Sequence, residues 1–301
     1  MLSKPSNAQH YPITNLSYLK RFKSIATLGA SACLALILSA CSQENSPNET
    51  AVVTENAPQT TQHSDAIRIA AAANLSDVLP EIIEGYKKDQ NLPNQEIEVT
   101  FASSGKLYSQ ITAGAPYDIF LAANQEFPAK LVDEMFKGDS SHTPFTYTQG
   151  QLSIYSATKP VDSLNQSTLT ELLKRDDKTK ITIANPELAP YGESAKAYLQ
   201  AQNLYDSLTA QKRIIQAENI GQAFQYAHTG NVDYGFVAQS QVTATKATPE
   251  QFYILPADSY PAILQDGIVI TDGASAADFT DYLRSPAGQA YFAKAGYLAV
   301  K

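Results

Sequence analysis

Residues 67–79 read Ile-Arg-Ile-Ala-Ala-Ala-Ala-Asn-Leu-Ser-Asp-Val-Leu, and this stretch decides the fold. A short apolar run over residues 67–73 predicts a buried strand. Apolar residues at helical spacing follow over residues 75–86, and Asn74 at the junction is the predicted N-cap. Pro80 lies inside this predicted helix and is expected to kink it. The stretch therefore predicts one strand-to-helix unit.

The same unit recurs along the chain. Short apolar runs alternate with amphipathic stretches, which predicts an α/β fold with mostly parallel sheets flanked by helices. The predicted strands are residues 67–73, 97–102, 118–123, 152–157, 180–185, 213–217 and 234–238. In open α/β sheets, ligands bind outside the carboxyl ends of the strands, where helices begin. We therefore look for function at the strand-to-helix junctions.

Four junctions place a neutral hydroxyl or amide beside the start of a predicted helix. They lie at residues 70–77, 101–107, 185–192 and 217–221. Backbone N–H groups at a helix N-terminus attract anions, and small residues at the first two junctions let the backbone approach a ligand closely. Ser and Asn also cap many helices that bind nothing. The junctions favour an anion site and leave a purely structural role open.

The composition and charge exclude several classes of protein. The chain has 301 residues, 44% of them hydrophobic, which is typical of a soluble protein with two domains. Its 22 Lys and Arg residues are outnumbered by 30 Asp and Glu residues, which gives a net charge of −8. This acidic balance disfavours a nucleic-acid partner, because nucleic-acid-binding proteins neutralise phosphates with a basic surface.

The N-terminus has the pattern of an export signal. Four basic residues precede an acid-free apolar run over residues 25–40, which is too short to span a bilayer. The run ends in Leu-Ser-Ala-Cys, and this ending resembles the lipobox of bacterial lipoproteins. The resemblance implies that residues 1–40 are removed as a signal peptide and that Cys41 carries the lipid. The alternative is an ordinary secretory signal followed by an incidental cysteine.

Between this signal and the folded body lies a segment of a different composition. Residues 41–65 are rich in Ser, Asn, Gln, Thr, Pro and Glu, which predicts a flexible tether before a body that begins near Ala66. Loss of residues 1–40 removes four positive charges and no negative charge, which lowers the net charge from −8 to −12. We expect the mature protein to be anchored on the periplasmic side of a bacterial membrane.

The body carries no recognisable catalytic or metal motif. It contains no H-E-x-x-H, C-x-x-C or P-loop pattern, and residues 103–105 do not form a nucleophile elbow. His142 and His228, the histidines of the body, belong to no recognisable constellation. The 17 tyrosines leave a ferric-ion binder as an alternative, although a hard cation would also need carboxylates. We predict a protein that is not an enzyme and has no cofactor.

Several strings together resemble the molybdate-binding proteins of bacterial ABC importers. They are residues 69–75 (IAAAANL), 101–107 (FASSGKL), 110–124 (QITAGAPYDIFLAAN), 184–192 (ANPELAPYG), 234–237 (YGFV) and 282–290 (YLRSPAGQA). The resemblance covers residues 67–298 in the family's order. It implies a two-lobed periplasmic-binding-protein fold of type II that crosses between lobes near Gly150 and Pro256. The implied lobes are residues 66–150 with 257–301, and residues 151–256.

The resemblance also implies a ligand and a site. Asn74 and Ser104 would hold molybdate or tungstate from the first lobe. Tyr191 and the backbone N–H of Ile220 would hold it from the second, and the metal would be bound only as its oxyanion. Ala238 departs from the family, since a number of relatives have a ligand-contacting Tyr at that position.

The implied partner is a membrane ABC permease, to which a monomeric binding protein delivers the oxyanion. Sulfate or another tetrahedral oxyanion is an alternative ligand. A sensory or accessory lipoprotein that uses the same anion site is an alternative role.

The negative charge of the body constrains how it could hold a dianion. Long-range attraction is unavailable, so the attraction must be local, and neutral donors and helix termini shielded from water can supply it without Arg or Lys. A hydrogen bond to a charged group contributes roughly 1.5 to 3 kcal/mol. A site made only of donors also rejects an anion that carries a proton. We therefore predict that Glu193 and Glu218 face away from the ligand and that Lys106 is a solvated residue.

Overall fold

The structure is a computed structural model that describes residues 66–161, 163–175 and 178–300. In chain order its strands are β1 (Ile67–Ala72), β2 (Ile97–Ala102), β3 (Ile119–Leu121), β4 (Phe145–Gly150), β5 (Leu152–Tyr155), β6 (Ile181–Ala184), β7 (Ile214–Ala217), β8 (Tyr234–Ala238), β9 (Phe252–Ile254) and β10 (Ile263–Val269). Its α-helices are α1 (Leu79–Asp89), α2 (Ser104–Thr112), α3 (Glu126–Met135), α4 (Gln166–Arg175), α5 (Pro190–Ala201), α6 (Tyr205–Ala210), α7 (Ile220–His228), α8 (Gln239–Ala244), α9 (Ala274–Arg284) and α10 (Pro286–Lys294). Short 3₁₀ helices cover Ala73–Leu75 and Pro249–Gln251.

Within the described residues these strands form two sheets of five strands each, in the orders β2-β1-β3-β10-β4 and β7-β6-β8-β5-β9. In the first sheet β1 is parallel to β2 and β3, while β10 is antiparallel to β3 and β4. In the second, β6 is parallel to β7 and β8, while β5 is antiparallel to β8 and β9. The predicted two-lobed α/β fold is confirmed, but its sheets are mixed, where the sequence predicted mostly parallel sheets.

Part of the difference comes from two strands of the first sheet that have no continuous apolar run. β4 reads Phe-Thr-Tyr-Thr-Gln-Gly and β10 reads Ile-Leu-Gln-Asp-Gly-Ile-Val, so polar residues interrupt both. Some of these polar side chains are fully buried, among them Thr148 and Gln265. Both strands run antiparallel to each other at one side of the first sheet. Hydrophobic periodicity alone misses strands whose buried positions are polar.

The first predicted helix begins later than expected. The chain forms the 3₁₀ helix Ala73–Leu75 directly after β1, and α1 starts only at Leu79. Pro80 therefore lies in the first turn of α1, where a missing N–H costs no intrahelical hydrogen bond, and the predicted kink is wrong. Asn74 is also not an N-cap, because it lies inside the 3₁₀ helix.

Each sheet has its own hydrophobic core. Helices α1, α9 and α10 pack together beside the first sheet. In this core the ring of Tyr86 meets Phe279 edge-on, with the ring centroids 5.2 Å apart. In the second core Tyr198 packs against Phe236 at 5.7 Å. Such aromatic contacts add to the burial of apolar area that stabilises each lobe.

The chain passes between the sheets at two connections. The first lies between β4 and β5, after Gly150, and the second lies between β9 and β10. A Cβ atom at Gly150 would lie 2.1 Å from the hydroxyl oxygen of Tyr191 and 2.8 Å from Nε2 of Gln265. Glycine at this position therefore allows Tyr191, on α5 beside the second sheet, to approach β10 of the first sheet.

The predicted signal peptide, the predicted lipid-bearing Cys41 and the tether over residues 41–65 all lie outside the described residues. In the part of the chain that the structure describes, no helix combines the length and apolar character needed to cross a membrane.

Replacement of Gly150 with Ala is expected to lower the free energy of unfolding by about 1 to 3 kcal/mol, because the added methyl group overpacks the space beside Tyr191. Gly273→Ala is the matched control, since the nearest atom to its added Cβ would be 3.6 Å away. Urea unfolding should show a change of less than about 1 kcal/mol for that control. Equal losses in the two variants would contradict the steric explanation.

Candidate functional site

A small cavity lies where the two sheets face each other, with about 200 Å³ of space free of atoms. Strand ends and helix starts from both lobes line it. The lining residues are Ala72, Ala73, Asn74, Ala102, Ser103, Ser104, Ala123, Ala189, Pro190, Tyr191, Asn219 and Ile220. None of these described residues carries a formal charge. The cavity brings together the four side chains or backbone groups predicted from sequence, at Asn74, Ser104, Tyr191 and Ile220.

Four helical segments begin at this cavity. They are the 3₁₀ helix Ala73–Leu75, α2, α5 and α7. The first N–H groups of a helix have no acceptor within that helix, and they lie at the positive end of its dipole. In α5 the first residue is Pro190, which has no N–H, so the N–H of Tyr191 is the first donor of that helix. The cavity is therefore a place where backbone donors from both lobes converge.

Asn74 is fully buried in the wall of the cavity, and its side chain is bound to the protein. Its Nδ2 donates to Oε1 of Gln265 and to the hydroxyl of Tyr297, both at 3.0 Å. Its backbone carbonyl accepts hydrogen bonds from Tyr297 at 2.7 Å and from Ser240 at 3.2 Å. Its Oδ1 has no hydrogen-bond partner among the described residues. Both amide hydrogens are thus used by protein groups, which leaves the backbone N–H of Asn74 as its donor toward a ligand.

Two adjacent serines begin α2. The Oγ of Ser104 accepts the backbone N–H of Ala123 at 2.9 Å, so its hydroxyl proton remains available to the cavity. Ser103 is the N-cap residue of α2, but its side chain makes no capping hydrogen bond. Its Oγ is buried without a partner in the part of the chain that the structure describes. Ser103 lines the cavity but is not among the site residues predicted from sequence, although its position beside Ser104 in a predicted capping turn was the available signal.

Tyr191 and Ile220 supply the second lobe's side of the cavity. Tyr191 is 1% exposed, and its hydroxyl oxygen accepts a hydrogen bond from Nε2 of Gln265 at 3.2 Å. Burial raises the pKa of Tyr191 well above its ordinary value, so the hydroxyl keeps its proton. Ile220 is the first residue of α7, and Asn219 caps that helix by accepting the N–H of Gln222 at 3.0 Å.

Ala238, where the sequence departs from the resembled family, is not among the lining residues. Its backbone N–H donates to Oε1 of Gln241 at 3.0 Å at the start of α8. The tyrosine among the lining residues is Tyr191.

The charged residues near the cavity lie at its margin. Glu193 and Glu218 are not among the lining residues, as a site made of donors requires. Lys106 on α2 forms an ion pair with Glu218, which precedes α7 in the other lobe, and both side chains are about half exposed. Lys106 is exposed to solvent, as predicted, and its long side chain also reaches across the cleft to form this ion pair, which the sequence did not predict. A backbone hydrogen bond from Gly105 to Leu188, 2.9 Å long, also joins the lobes.

The described residues contain no group of three or more His, Cys, Asp or Glu side chains that could hold a metal ion. The donors at the cavity are hydroxyl and backbone N–H groups, which suit an anion and do not suit a bare cation.

Comparison with known proteins matches these features to one family. The family model for bacterial extracellular solute-binding proteins matches residues 67–298. The molybdate-binding protein ModA of Azotobacter vinelandii is 34% identical over 235 residues, which cover 77% of this chain and 89% of that protein. ModA of Rhodobacter capsulatus is 32% identical over 232 residues, which cover 76% of this chain and 86% of that protein. The solved structure of the periplasmic molybdate-binding protein of Azotobacter vinelandii superposes with a TM-score of 0.70 at 32% identity, covering 78% of this chain and 100% of that one.

Reversal of one charge at the margin of the cleft should favour separation of the lobes. Lys106→Glu places two carboxylates opposite each other, whereas the exchange Lys106→Glu with Glu218→Lys restores attraction. Small-angle X-ray scattering should show a larger radius of gyration for the single variant and the parent value for the double variant. The effect is modest, because an exposed ion pair contributes about 0 to 1 kcal/mol.

The matched control for this experiment is Lys130→Glu, which breaks an exposed pair with Glu126 within a single helix. That substitution should leave the radius of gyration unchanged. The same expansion in the control would show that the effect is not specific to the pair between the lobes.

Proposed function

Since the chain belongs to the bacterial extracellular solute-binding protein family, we propose that it binds molybdate or tungstate in the cavity between its lobes and delivers the oxyanion to an ABC permease. The observation that carries this proposal is the uncharged cavity at which helical segments from both lobes begin. Its relatives named above are molybdate-binding proteins, and they share two thirds or more of their length with this chain. We infer that the protein acts by binding and release, without a catalytic step or a cofactor.

The donors account for how an acidic protein could hold a dianion. The hydroxyls of Ser103 and Ser104 and the backbone N–H groups of Asn74, Tyr191 and Ile220 all belong to residues that line the cavity. Each hydrogen bond to a charged oxygen would contribute roughly 1.5 to 3 kcal/mol in a site shielded from water. A fully deprotonated tetrahedral oxyanion accepts at every oxygen. Protonated phosphate would meet no carboxylate among the lining residues to accept its proton, which favours molybdate and tungstate.

Closure of the lobes would couple binding to transport. A ligand that contacts donors from both lobes stabilises the closed arrangement by its difference in affinity for the closed and open states. We propose residues 66–150 with 257–301 as lobe one and residues 151–256 as lobe two. The two connections between the sheets would then serve as the hinge, and a permease would distinguish the closed form from the open one.

We further propose how the protein is delivered to its place of action. Residues 1–40 would act as a lipoprotein signal peptide, Cys41 would carry the lipid, and residues 41–65 would tether a monomeric body outside the cytoplasmic membrane. The apolar run and its Leu-Ser-Ala-Cys ending support this proposal. Mass spectrometry of the membrane-extracted protein tests it, since an N-terminus other than a lipid-modified Cys41 would contradict it.

Thermal unfolding with added anions tests the proposed ligand. A ligand present at about 100 times its Kd stabilises the fold by roughly 2.7 kcal/mol, which raises the Tm by several degrees. Molybdate and tungstate should each raise the Tm, whereas sulfate and phosphate should not. An equal shift with sulfate would make the protein a general tetrahedral-oxyanion binder, and no shift with any of the four anions would refute the proposed function.

Substitution of the two serines of the cavity should separate an effect on ligand affinity from an effect on the stability of the fold. Ser103→Ala removes a hydroxyl that has no protein partner, so molybdate affinity should fall about 10-fold while the Tm of the unliganded protein is unchanged. Ser104→Ala should lower both, because it also leaves the N–H of Ala123 without its acceptor. Calorimetric titration and thermal unfolding measure the two quantities.

Ser153→Ala is the matched control for these variants. Ser153 is a buried serine outside the cavity whose hydroxyl donates to Gln239 at 2.6 Å. This variant should lose stability and keep its affinity for molybdate. Parental affinity in both cavity variants would show that these serines do not hold the ligand.

A further inference from the structure

A buried glutamine outside the cavity connects site residues of the two lobes. Gln265 on β10 is 0% exposed and is not among the residues that line the cavity. Its Oε1 accepts from Nδ2 of Asn74 at 3.0 Å, and its Nε2 donates to the hydroxyl oxygen of Tyr191 at 3.2 Å. The hydroxyl of Tyr147 lies 3.1 Å from the same Oε1. One side chain thus joins Asn74 of the first lobe to Tyr191 of the second.

A β-bulge lies at this position. Gln265 pairs with Thr148, whereas the next residue, Asp266, pairs with Thr146, so β4 has one extra residue there, Tyr147. A bulge breaks the strict alternation of side chains and is often found where a sheet aims a side chain at a site. Here it accompanies the contact between Tyr147 and Gln265, and Tyr147 is in turn fixed by donation to the carbonyl of Ala122 at 2.8 Å.

The direction of these hydrogen bonds decides where the proton of Tyr191 goes. An amide nitrogen can only donate, so the Tyr191 oxygen must accept at its contact with Gln265. The hydroxyl has a single proton, and no acceptor for it occurs among residues 66–161, 163–175 and 178–300. Tyr191 also lines the cavity. The hydroxyl proton is therefore not committed to a protein group in the described part of the chain.

We propose that Gln265 is a positioning residue for the site: by holding Asn74 and Tyr191 at once, it orients the Tyr191 hydroxyl as a donor to the bound oxyanion. This inference rests on the proposed function, because it needs an anion in the cavity. In this proposal the Tyr191 hydroxyl donates to the ligand only while its oxygen accepts a hydrogen bond from Nε2 of Gln265. In the alternative arrangement the side-chain amides of Gln265 and Asn74 are both flipped, so that oxygen and nitrogen exchange places. Tyr191 would then donate to Gln265, and Asn74 would offer an N–H to the ligand. Loss of the Tyr191 hydroxyl should weaken ligand binding in the first orientation and leave it unchanged in the second.

A double-mutant cycle on molybdate affinity tests the proposal. Gln265→Met keeps the volume of the side chain and removes its hydrogen bonds, and Tyr191→Phe removes only the hydroxyl. Each single variant should weaken binding at least 10-fold in calorimetric titration. The double variant should be no more than about threefold weaker than Tyr191→Phe alone, because Gln265 acts through that hydroxyl. Gln239→Met changes a buried glutamine that is hydrogen-bonded to Ser153 and Thr243 and not to Asn74 or Tyr191, so this variant should bind as the parent does.

Two outcomes of the binding cycle would overturn the proposal. If Tyr191→Phe bound molybdate within twofold of the parent, the Tyr191 hydroxyl would not be a ligand donor. If the losses from the two substitutions multiplied in the double variant, Gln265 would act independently of Tyr191. A merely structural role for Gln265 would lower the Tm without producing the non-additive pattern in affinity.

The same variants in the absence of ligand separate this proposal from the proposed function. Thermal unfolding of the unliganded proteins should show that the Tm losses of Gln265→Met and Tyr191→Phe are non-additive by about 2 °C or more, as expected for two groups in contact. If the parent bound none of the four anions, the proposed function would fail. This unfolding cycle would still show whether Gln265 and Tyr191 interact. Additive Tm losses would overturn the positioning role whatever the ligand.

Discussion

The structure depends on a feature of its electrostatics: the cavity between the lobes is lined by uncharged residues, and helix dipoles supply its positive potential. Backbone N–H groups in the first turn of a helix have no acceptor of their own, and they can be paired only by a side chain, water or a ligand. Two sheets that face each other bring such turns together from opposite sides, at the starts of α2 and α7 among others. The alternation of strand and helix in each lobe is thus what makes the cavity possible.

The sequence predicted those parts of the fold that follow from local physics. Apolar runs located β2 and β8 at their observed bounds, and the resemblance brought together Asn74, Ser104, Tyr191 and Ile220. The sequence could not predict β4 and β10, because polar residues interrupt their apolar pattern and the buried Gln265 is satisfied only by partners far away in sequence. Nor could it pair Lys106 with Glu218, which are 112 residues apart and lie in different lobes.

Asn74 shows how the position of a residue can follow from the sequence while its hydrogen-bond partners do not. Its place at the end of the first strand suggested a capping side chain that faces a ligand. The structure instead directs both amide hydrogens to Gln265 and Tyr297, so the side chain supports the wall of the cavity.

The structure also explains part of the high tyrosine content of the chain. Burial raises the pKa of Tyr147, Tyr191 and Tyr297 above the ordinary value, which keeps neutral hydroxyls in a polar layer between the lobes.

The ion pair across the cleft has a consequence for the timing of release. Since Lys106 and Glu218 are about half exposed, dissolved salt screens their attraction, whereas the hydrogen bonds inside the buried wall are scarcely affected. The stability of the closed state relative to the open state would then depend partly on the ionic strength around the protein. A cell in dilute surroundings would have a receptor that retains its cargo longer, and a cell in saline surroundings one that reopens sooner, with the same residues around the cavity.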